Sequence, residues 1–272
     1  MHTIGKYKLL DKEDNVGVAL SGGKDSMTIA YLLNEIRKKR KNFKLQAILI
    51  DEGIKGYRSK TVIDAKKFCK EHKIPLKIFS YKKEIGSTLD IMLSKTHKKP
   101  CSVCGVFRRY LLNMKSRELG FNKLATGHNL DDEAQSILMN QLRSNPEVSA
   151  RLGPITGIQD NKDFVRRIKP LYLLTEKETA TYAFLRKFPV TFTECPNAKQ
   201  GYRDDVRTLL NQFEKKYPGS KHAMVNAFLE TLPALKQHFQ DTSEIRSCKI
   251  CQEPTSKEIC QACTLQQELH LK

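Results

Sequence analysis

No stretch of this 272-residue chain approaches the roughly 20 consecutive apolar residues that a membrane-spanning helix needs. The opening residues, Met1-His2-Thr3-Ile4-Gly5-Lys6, lack the apolar core of a secretory signal, so a soluble, cytoplasmic protein is expected. There is no internal repeat and no low-complexity linker, which points to one large domain, or one domain with small attachments. Acidic residues are scarce: 30 Asp and Glu face 48 Lys and Arg, a formal net charge of +18. An excess of that size favours a polyanionic partner through phosphate contacts and counterion release; the other reading is a generally lysine-rich composition. No cysteine precedes Cys69, yet eight occur in all, and in a cytosolic chain they argue for metal or redox chemistry over structural disulfides.

The apolar run Val16-Gly17-Val18-Ala19-Leu20 reads as a buried strand, and Met27-Thr28-Ile29-Ala30-Tyr31-Leu32-Leu33 as part of a helix with an apolar face. Between them lies Ser21-Gly22-Gly23-Lys24-Asp25-Ser26. Such a turn aims several backbone N–H groups and the positive end of a helix at one point, and Lys24 adds a full charge. The two glycines let backbone approach a phosphate with no Cβ in the way. The spacing is not that of the GxxxxGK(S/T) loop. It resembles the SGGKDS loop of the PP-loop ATP pyrophosphatases, which cleave ATP between the α- and β-phosphates to adenylate a substrate; a glycine turn that binds nothing is the alternative.

Further strands are expected at 45–50, 76–79 and 123–126, alternating with helices at 25–37, 59–72 and 131–140. Lys38-Lys39-Arg40-Lys41 reads as the cationic end of the first of these helices. Alternation of this kind implies an α/β fold with a Rossmann-like parallel sheet, and ligands bind such sheets past the carboxyl ends of the strands. The loops 21–26, 51–53 and 127–132 all fall there. Beyond Pro154 comes a basic extended segment at 164–171, then a helix over 175–187 whose Thr175 and Glu178 make a capping box. A basic helical stretch follows Asp204. The expected division is a lead-in at 1–15, a nucleotide domain at 16–200, a helical extension at 201–247 and a metal module at 248–272.

In Gly127-His128-Asn129-Leu130-Asp131-Asp132-Glu133, Asn129 or Asp131 can cap the helix that follows, and acids suit its first turn. Pyrophosphate chemistry also needs Mg²⁺, a hard cation held by one or two carboxylates plus phosphate oxygens, and Asp25 with Asp132 could supply them. His128 reads as a loop-shaping residue and not as a base. Cys69, within a helix, reads as a small buried hydrophobe. Cys101-Ser102-Val103-Cys104 is a lone CxxC, open to zinc, a redox disulfide or an iron–sulfur cluster; the available third thiol is Cys195 in Glu194-Cys195-Pro196. Cys248, Cys251, Cys260 and Cys263 form two CxxC pairs, a spacing that suits a four-thiolate structural Zn²⁺.

CxxCGxxRR after the third strand, then GHNLDDEAQ and a late TECP, resembles the TtuA/NcsA family of PP-loop tRNA 2-thiouridine synthetases, relatives of the eukaryotic cytosolic wobble-uridine thiolase. The resemblance spans about 4–263. It implies a PP-loop sheet domain with a helical C-terminal part and a zinc module. It further implies ATP at Ser21, Gly22, Gly23, Lys24, Asp25, Ser26, Asp51 and Gly127, catalytic roles for Asp25, Asp132 and Arg108, and a [4Fe-4S] cluster on Cys101, Cys104 and Cys195. The implied reaction adenylates a tRNA uridine at its C2 oxygen and inserts sulfur there, at the wobble position in preference to the T-loop. Sulfur from a ubiquitin-like thiocarboxylate carrier and from free sulfide both stay open, as does persulfide chemistry without a cluster; relatives form homodimers. Family members commonly begin with a second zinc module, for which this chain has no cysteines. The competing classes are an amide-forming PP-loop enzyme acting on a small carboxylate and a non-enzymatic zinc-ribbon RNA-binding protein.

Overall fold

The computed structural model describes residues 1–40, 42–158, 163–191, 195–198, 201–240 and 245–271. A short helix, α1 (His2–Lys6), leads into β1 (Asn15–Ala19), α2 (Lys24–Arg40), β2 (Lys44–Asp51), α3 (Arg58–His72) and β3 (Leu76–Ser80). Two short helices, α4 (Tyr81–Glu84) and α5 (Leu89–Ser94), precede the long α6 (Pro100–Glu118). Then come β4 (Lys123–Ala125), α7 (Leu130–Leu142), α8 (Pro146–Ala150), β5 (Arg166–Ile168) and α9 (Glu176–Leu185). The chain finishes with α10 (Tyr202–Lys216), α11 (Ser220–His238), a β6–β7 ribbon (Arg246–Ser247 and Pro254–Thr255) and α12 (Gln261–Glu268). The strands and helices read from periodicity all form. Of the calls above, Lys41 and Glu194 lie outside the described residues.

The five longer-range strands make one all-parallel sheet in the order β3-β2-β1-β4-β5. Val16 of β1 sits between Leu45 of β2 and Lys123 of β4. The chain therefore winds outward from β1 to β3, then returns to the other side of β1. The place where the order reverses, past the ends of β1 and β4, is where such sheets open a crevice for ligands.

Both faces of the sheet are covered, so its strands are near-continuously apolar. On one face Met27, Ile29, Ala30 and Leu33 of α2 pack with Val16, Val18, Ala47 and Leu49. Full burial of a large aliphatic side chain there stabilises the fold by about 1.5–3 kcal/mol. Phe107 and Leu111 of α6 pack with Ile48, Ile50 and Leu124 on the other face. Cys69 is buried within the first of these clusters. The helical extension is not loose: Val206 and Leu210 of α10 and Val225 and Phe228 of α11 pack on Leu130, Ala134 and Ile137 of α7. Four cysteines of the tail join the cluster that α6 builds, with α12 lying against α6. Among the described residues no helix is long and apolar enough to cross a membrane.

Candidate active site

The loop after β1 is wound around one hydroxyl. Ser26 Oγ accepts from the Ser21 amide at 3.1 Å and from Ser21 Oγ at 3.0 Å, and donates to the Gly23 carbonyl at 2.9 Å. Arg58, buried under the loop, donates to the Ser21 carbonyl at 2.7 Å. Its Nε also lies 2.7 Å from Glu52, although that N–H is not aligned for a hydrogen bond, so the contact is ionic. Gly22 has φ of +88°, and a Cβ on it would fall 2.6 Å from the Thr61 carbonyl oxygen, so glycine is required. The loop thus arrives at the first turn of α2 with that helix's leading N–H groups facing the crevice.

The loop after β4 closes against this turn. A Cβ on Gly127 would lie 2.9 Å from the Asp25 carbonyl carbon and the Ser26 nitrogen, which explains why a glycine starts the GHNLDD segment. Asn129 caps α7: its side chain accepts from the Asp132 amide, and Asp132 returns the bond to the Asn129 amide at 3.2 Å. Capping and pocket-lining are therefore combined in Asp132. Neighbouring Asp131 faces inward, accepting from the Glu176 amide at 2.7 Å and pairing with buried Lys221 of α11. Glu133 is buried in a pair with Lys169 at 2.7 Å, and burial pushes its pKa up against that partner.

Asp25 and Asp132 come together with Asn129, Gln135, Glu176, Arg203, Asp204 and Arg207 around a pocket of about 120 Å³. Ligand pockets are commonly about 300–1,000 Å³, and in this one two cations bridge the carboxylates. Lys24 Nζ bridges Asp25 at 3.0 Å and Glu176 at 2.8 Å, and Arg203 of α10 reaches Asp132 Oδ1 at 2.9 Å and Gln135 at 2.8 Å. Asp25 Oδ1 also accepts from Thr179 Oγ1 at 2.5 Å. Glu176, Thr179, Gln135, Arg203 and Arg207 were missed in the sequence. The capping box at Thr175 marked where α9 starts but not that its first turn faces the crevice.

Asp51 is not in the pocket lining; its carboxylate accepts from the Gly53 amide at 2.9 Å and shapes the turn after β2. Arg108 is also outside the lining. It stands 4.0 Å from Glu52 and next to the cysteines; burial works against its charge, and Cys104 and Glu52 overcome this and raise its pKa. Solvent reaches half of that side chain while protein crowds it closely, the signature of a residue in a cleft. The same holds for His128, an exposed ring that bonds Thr126 Oγ1 at 2.9 Å. Crowding, with Lys169, Arg203, Arg167 and Arg108 around it, pushes its pKa far down, toward about 3, so it is a neutral group at physiological pH.

Cys101 and Cys104 lie in the first turns of α6, and burial pushes the Cys104 thiol up against the opposing pull of Arg108. The 195–198 segment folds onto them: Cys101 Sγ is 3.7 Å from the Asn197 carbonyl, and the Cys195 thiol is pushed up chiefly by burial, with Cys101 adding to the rise. All three are free thiols, with Cys104 held by the Tyr81 hydroxyl at its carbonyl, 2.8 Å away. Three free thiols gathered at one helix end are a donor set that could hold a cluster.

The four tail cysteines are different. Their sulfurs all lie within 4.8 Å of one another, and Cys251 and Cys260 are 3.7 Å apart. A tetrahedral site with metal–sulfur distances of about 2.3 Å has an edge of about 3.8 Å, so the four sulfurs could hold one ion. The amides of Cys260 and Cys263 donate to the Cys248 and Cys260 sulfurs at 3.3 and 3.4 Å, bonds that stabilise thiolates.

The PP-loop domain family profile matches residues 2–213. A tRNA-5-methyluridine(54) 2-sulfurtransferase of Pyrococcus horikoshii is 38% identical, over 99% of this chain and 85% of its own length. This chain belongs to the family of PP-loop tRNA 2-thiolation proteins. The Haloferax volcanii tRNA 2-thiolation protein NcsA is 35% identical over 91% of this chain and 80% of that protein, and a cytoplasmic tRNA 2-thiolation protein 1 of Drosophila melanogaster is 36% identical over 99% and 78%. The solved U34-tRNA thiolase NcsA of Methanococcus maripaludis, which contains a [4Fe-4S] cluster, superposes with a TM-score of 0.84 at 36% identity, covering 98% of this chain and 86% of that one.

Proposed function

We propose that this chain is a cytoplasmic enzyme that adenylates the C2 oxygen of a tRNA uridine with ATP and replaces that oxygen with sulfur. The observation that carries the reading is a chain of contacts between two chemistries: Arg58 bonds the Ser21 carbonyl of the phosphate loop and pairs with Glu52, which stands 4.0 Å from Arg108 beside Cys104. The α2 N-terminus, Lys24 and the 21–26 amides take the ATP phosphates; Asp25 and Asp132 would hold Mg²⁺ between phosphate oxygens. Attack of the uridine oxygen on the α-phosphorus expels pyrophosphate and turns a poor leaving group into AMP. Arg108, charged and aimed at the thiols, stabilises negative charge as sulfur displaces it. A cluster on Cys101, Cys104 and Cys195 would leave one iron without a protein ligand, a position able to present sulfide in a water-poor site. Either a thiocarboxylate carrier or free sulfide delivers sulfur in the oxidation state that this displacement needs.

The wobble uridine is the proposed target, supported by the likeness to the U34 thiolase. The T-loop uridine is the second reading, favoured by the name of the Pyrococcus relative. Anaerobic incubation with ATP, sulfide and unmodified tRNA, followed by nucleoside mass spectrometry of isolated fragments, decides between them. AMP formation without tRNA-dependent 2-thiouridine at either position contradicts the assignment.

The tail cysteines are proposed to hold structural Zn²⁺, since four protein ligands leave no open position. Removing it with a chelator is expected to release one zinc per chain and to collapse hydrogen-exchange protection in β6, β7 and α12, while α2 and β1 stay protected. Unchanged protection of α12 would show that packing on α6 alone suffices.

A further inference from the structure

Four helices begin at the pocket. Asp25 belongs to the first turn of α2, Asp132 to that of α7, Glu176 to that of α9 and Asp204 to that of α10. Acids suit those positions, because the leading N–H groups of a helix carry partial positive charge. Two cations break the pattern: Lys24 is the first residue of α2 and Arg203 the second of α10, where the same charge disfavours them. Lys24 is held by Asp25 and Glu176 and serves phosphate in the reading above. Arg203 is held by two residues of α7 that line the pocket with it: Nη2 meets Asp132 Oδ1 at 2.9 Å, and Nε donates to Gln135 Oε1 at 2.8 Å. Asp132 Oδ2 is taken by the Asn129 amide of its capping box, so Arg203 holds the oxygen that is free to meet a ligand. The helix does not depend on this bond for its place, since Val206 and Leu210 pack on Leu130 and Ala134. A residue that breaks a local charge rule with no packing need for it marks a functional position.

We propose that Arg203 is a further catalytic residue of the adenylation step, one that binds the pyrophosphate end of ATP and neutralises it as it departs. This rests on the ATP reading above. In that step the uridine oxygen bonds to the α-phosphorus and the bond from that phosphorus to the bridging oxygen breaks. Its electron pair leaves on pyrophosphate, and the uridine N3 proton goes to solvent. Negative charge therefore grows on the leaving group, and a planar fork of N–H donors is matched to phosphate oxygens. The neighbours assign the fork to the leaving group and not to the base. Arg108 stands by Cys104 and Glu52, on the thiol side, whereas the bonds of Arg203 go to Asp132 and Gln135 in the pocket that Asp25 lines. Its half-exposed side chain can turn from the carboxylate to a phosphate while α10 stays packed.

The test uses the full-length protein with Mg²⁺ and measures equilibrium binding of inorganic pyrophosphate, of AMP and of unmodified tRNA, beside steady-state AMP formation. Arg203→Gln is expected to weaken pyrophosphate binding about 10–100-fold, the loss of one charged hydrogen-bonding partner, while AMP and tRNA affinities stay within about 2-fold. AMP formation at saturating ATP and tRNA falls about 10²-fold. Arg203→Lys, which keeps a charge beside Asp132 but loses the fork, recovers part of both losses. Equal losses of pyrophosphate and AMP binding would make Arg203 a brace of the pocket, and unchanged pyrophosphate binding would leave it an ion pair without a ligand; either result overturns the proposal. Weaker tRNA binding with pyrophosphate binding intact assigns the fork to the RNA backbone and also overturns it. Wild-type protein that releases ADP in place of AMP removes the ATP reading itself, a result distinguishable because it needs no variant.

Discussion

Asp25→Ala is expected to lower tRNA-dependent AMP formation by about 10²–10³-fold while tRNA affinity stays within about 2-fold. The carboxylate sits in the first turn of α2, accepts from Thr179 and Lys24, and lines the pocket beside Asp132. It is not one of the groups that shape the loop, which is held by Ser21, Ser26, Gly23 and Arg58. Truncation therefore removes a metal and phosphate partner and leaves the backbone cradle in place. Lys24 keeps Glu176 as its counterion. Asp25→Asn sharpens the test, because the amide oxygen can still accept from Thr179 but carries no charge. Steady-state AMP release with tRNA and Mg²⁺ in excess is the measurement. An asparagine variant near wild-type rate would mean that Asp25 positions Thr179 and α9, and the metal role would fall.

Cys195→Ser is expected to abolish 2-thiouridine formation and to strip iron from the anaerobically purified protein, with zinc unchanged at about one per chain. The 195–198 segment is held at the α6 N-terminus by the Cys101 contact to Asn197 and by the turn from Ala198 to Cys195. Without the third thiol, Cys101 and Cys104 remain as a lone pair, which cannot fill three irons. The tail sulfurs form a separate group packed with α12, which this change is not expected to alter. Iron and zinc quantified on the same sample separate the two sites. Retained iron at the wild-type ratio would remove Cys195 from the ligand set.

The parts of this protein that were legible in the sequence are those whose chemistry is local. The strand, glycine turn and helix at 16–33 carry their own periodicity, and the glycines report close approaches at Gly22 and Gly127 that only the backbone needs. The tail announces itself by two CxxC pairs. What stayed hidden depends on which helix packs on which. Glu176 and Thr179 reach the crevice only because α9 lies along α2, and their local pattern is that of an ordinary cap. Arg203 and Arg207 reach the crevice because α10 packs on α7, which the basic helical stretch alone does not reveal. Asp51 ends a strand at the active edge and accepts from the Gly53 amide; its neighbour Glu52, buried between Arg58 and Arg108, carries no local pattern that marks it.

The central claim is that the uridine's own C2 oxygen attacks ATP. Unmodified tRNA carrying ¹⁸O at C2 of the target uridine, incubated anaerobically with ATP and sulfide in a single turnover, tests it directly. Adenylation followed by displacement transfers that oxygen to the phosphate of AMP, so AMP gains one ¹⁸O for each 2-thiouridine formed. Thiolated tRNA accompanied by unlabelled AMP would contradict the account, because ATP would then be activating something other than the base.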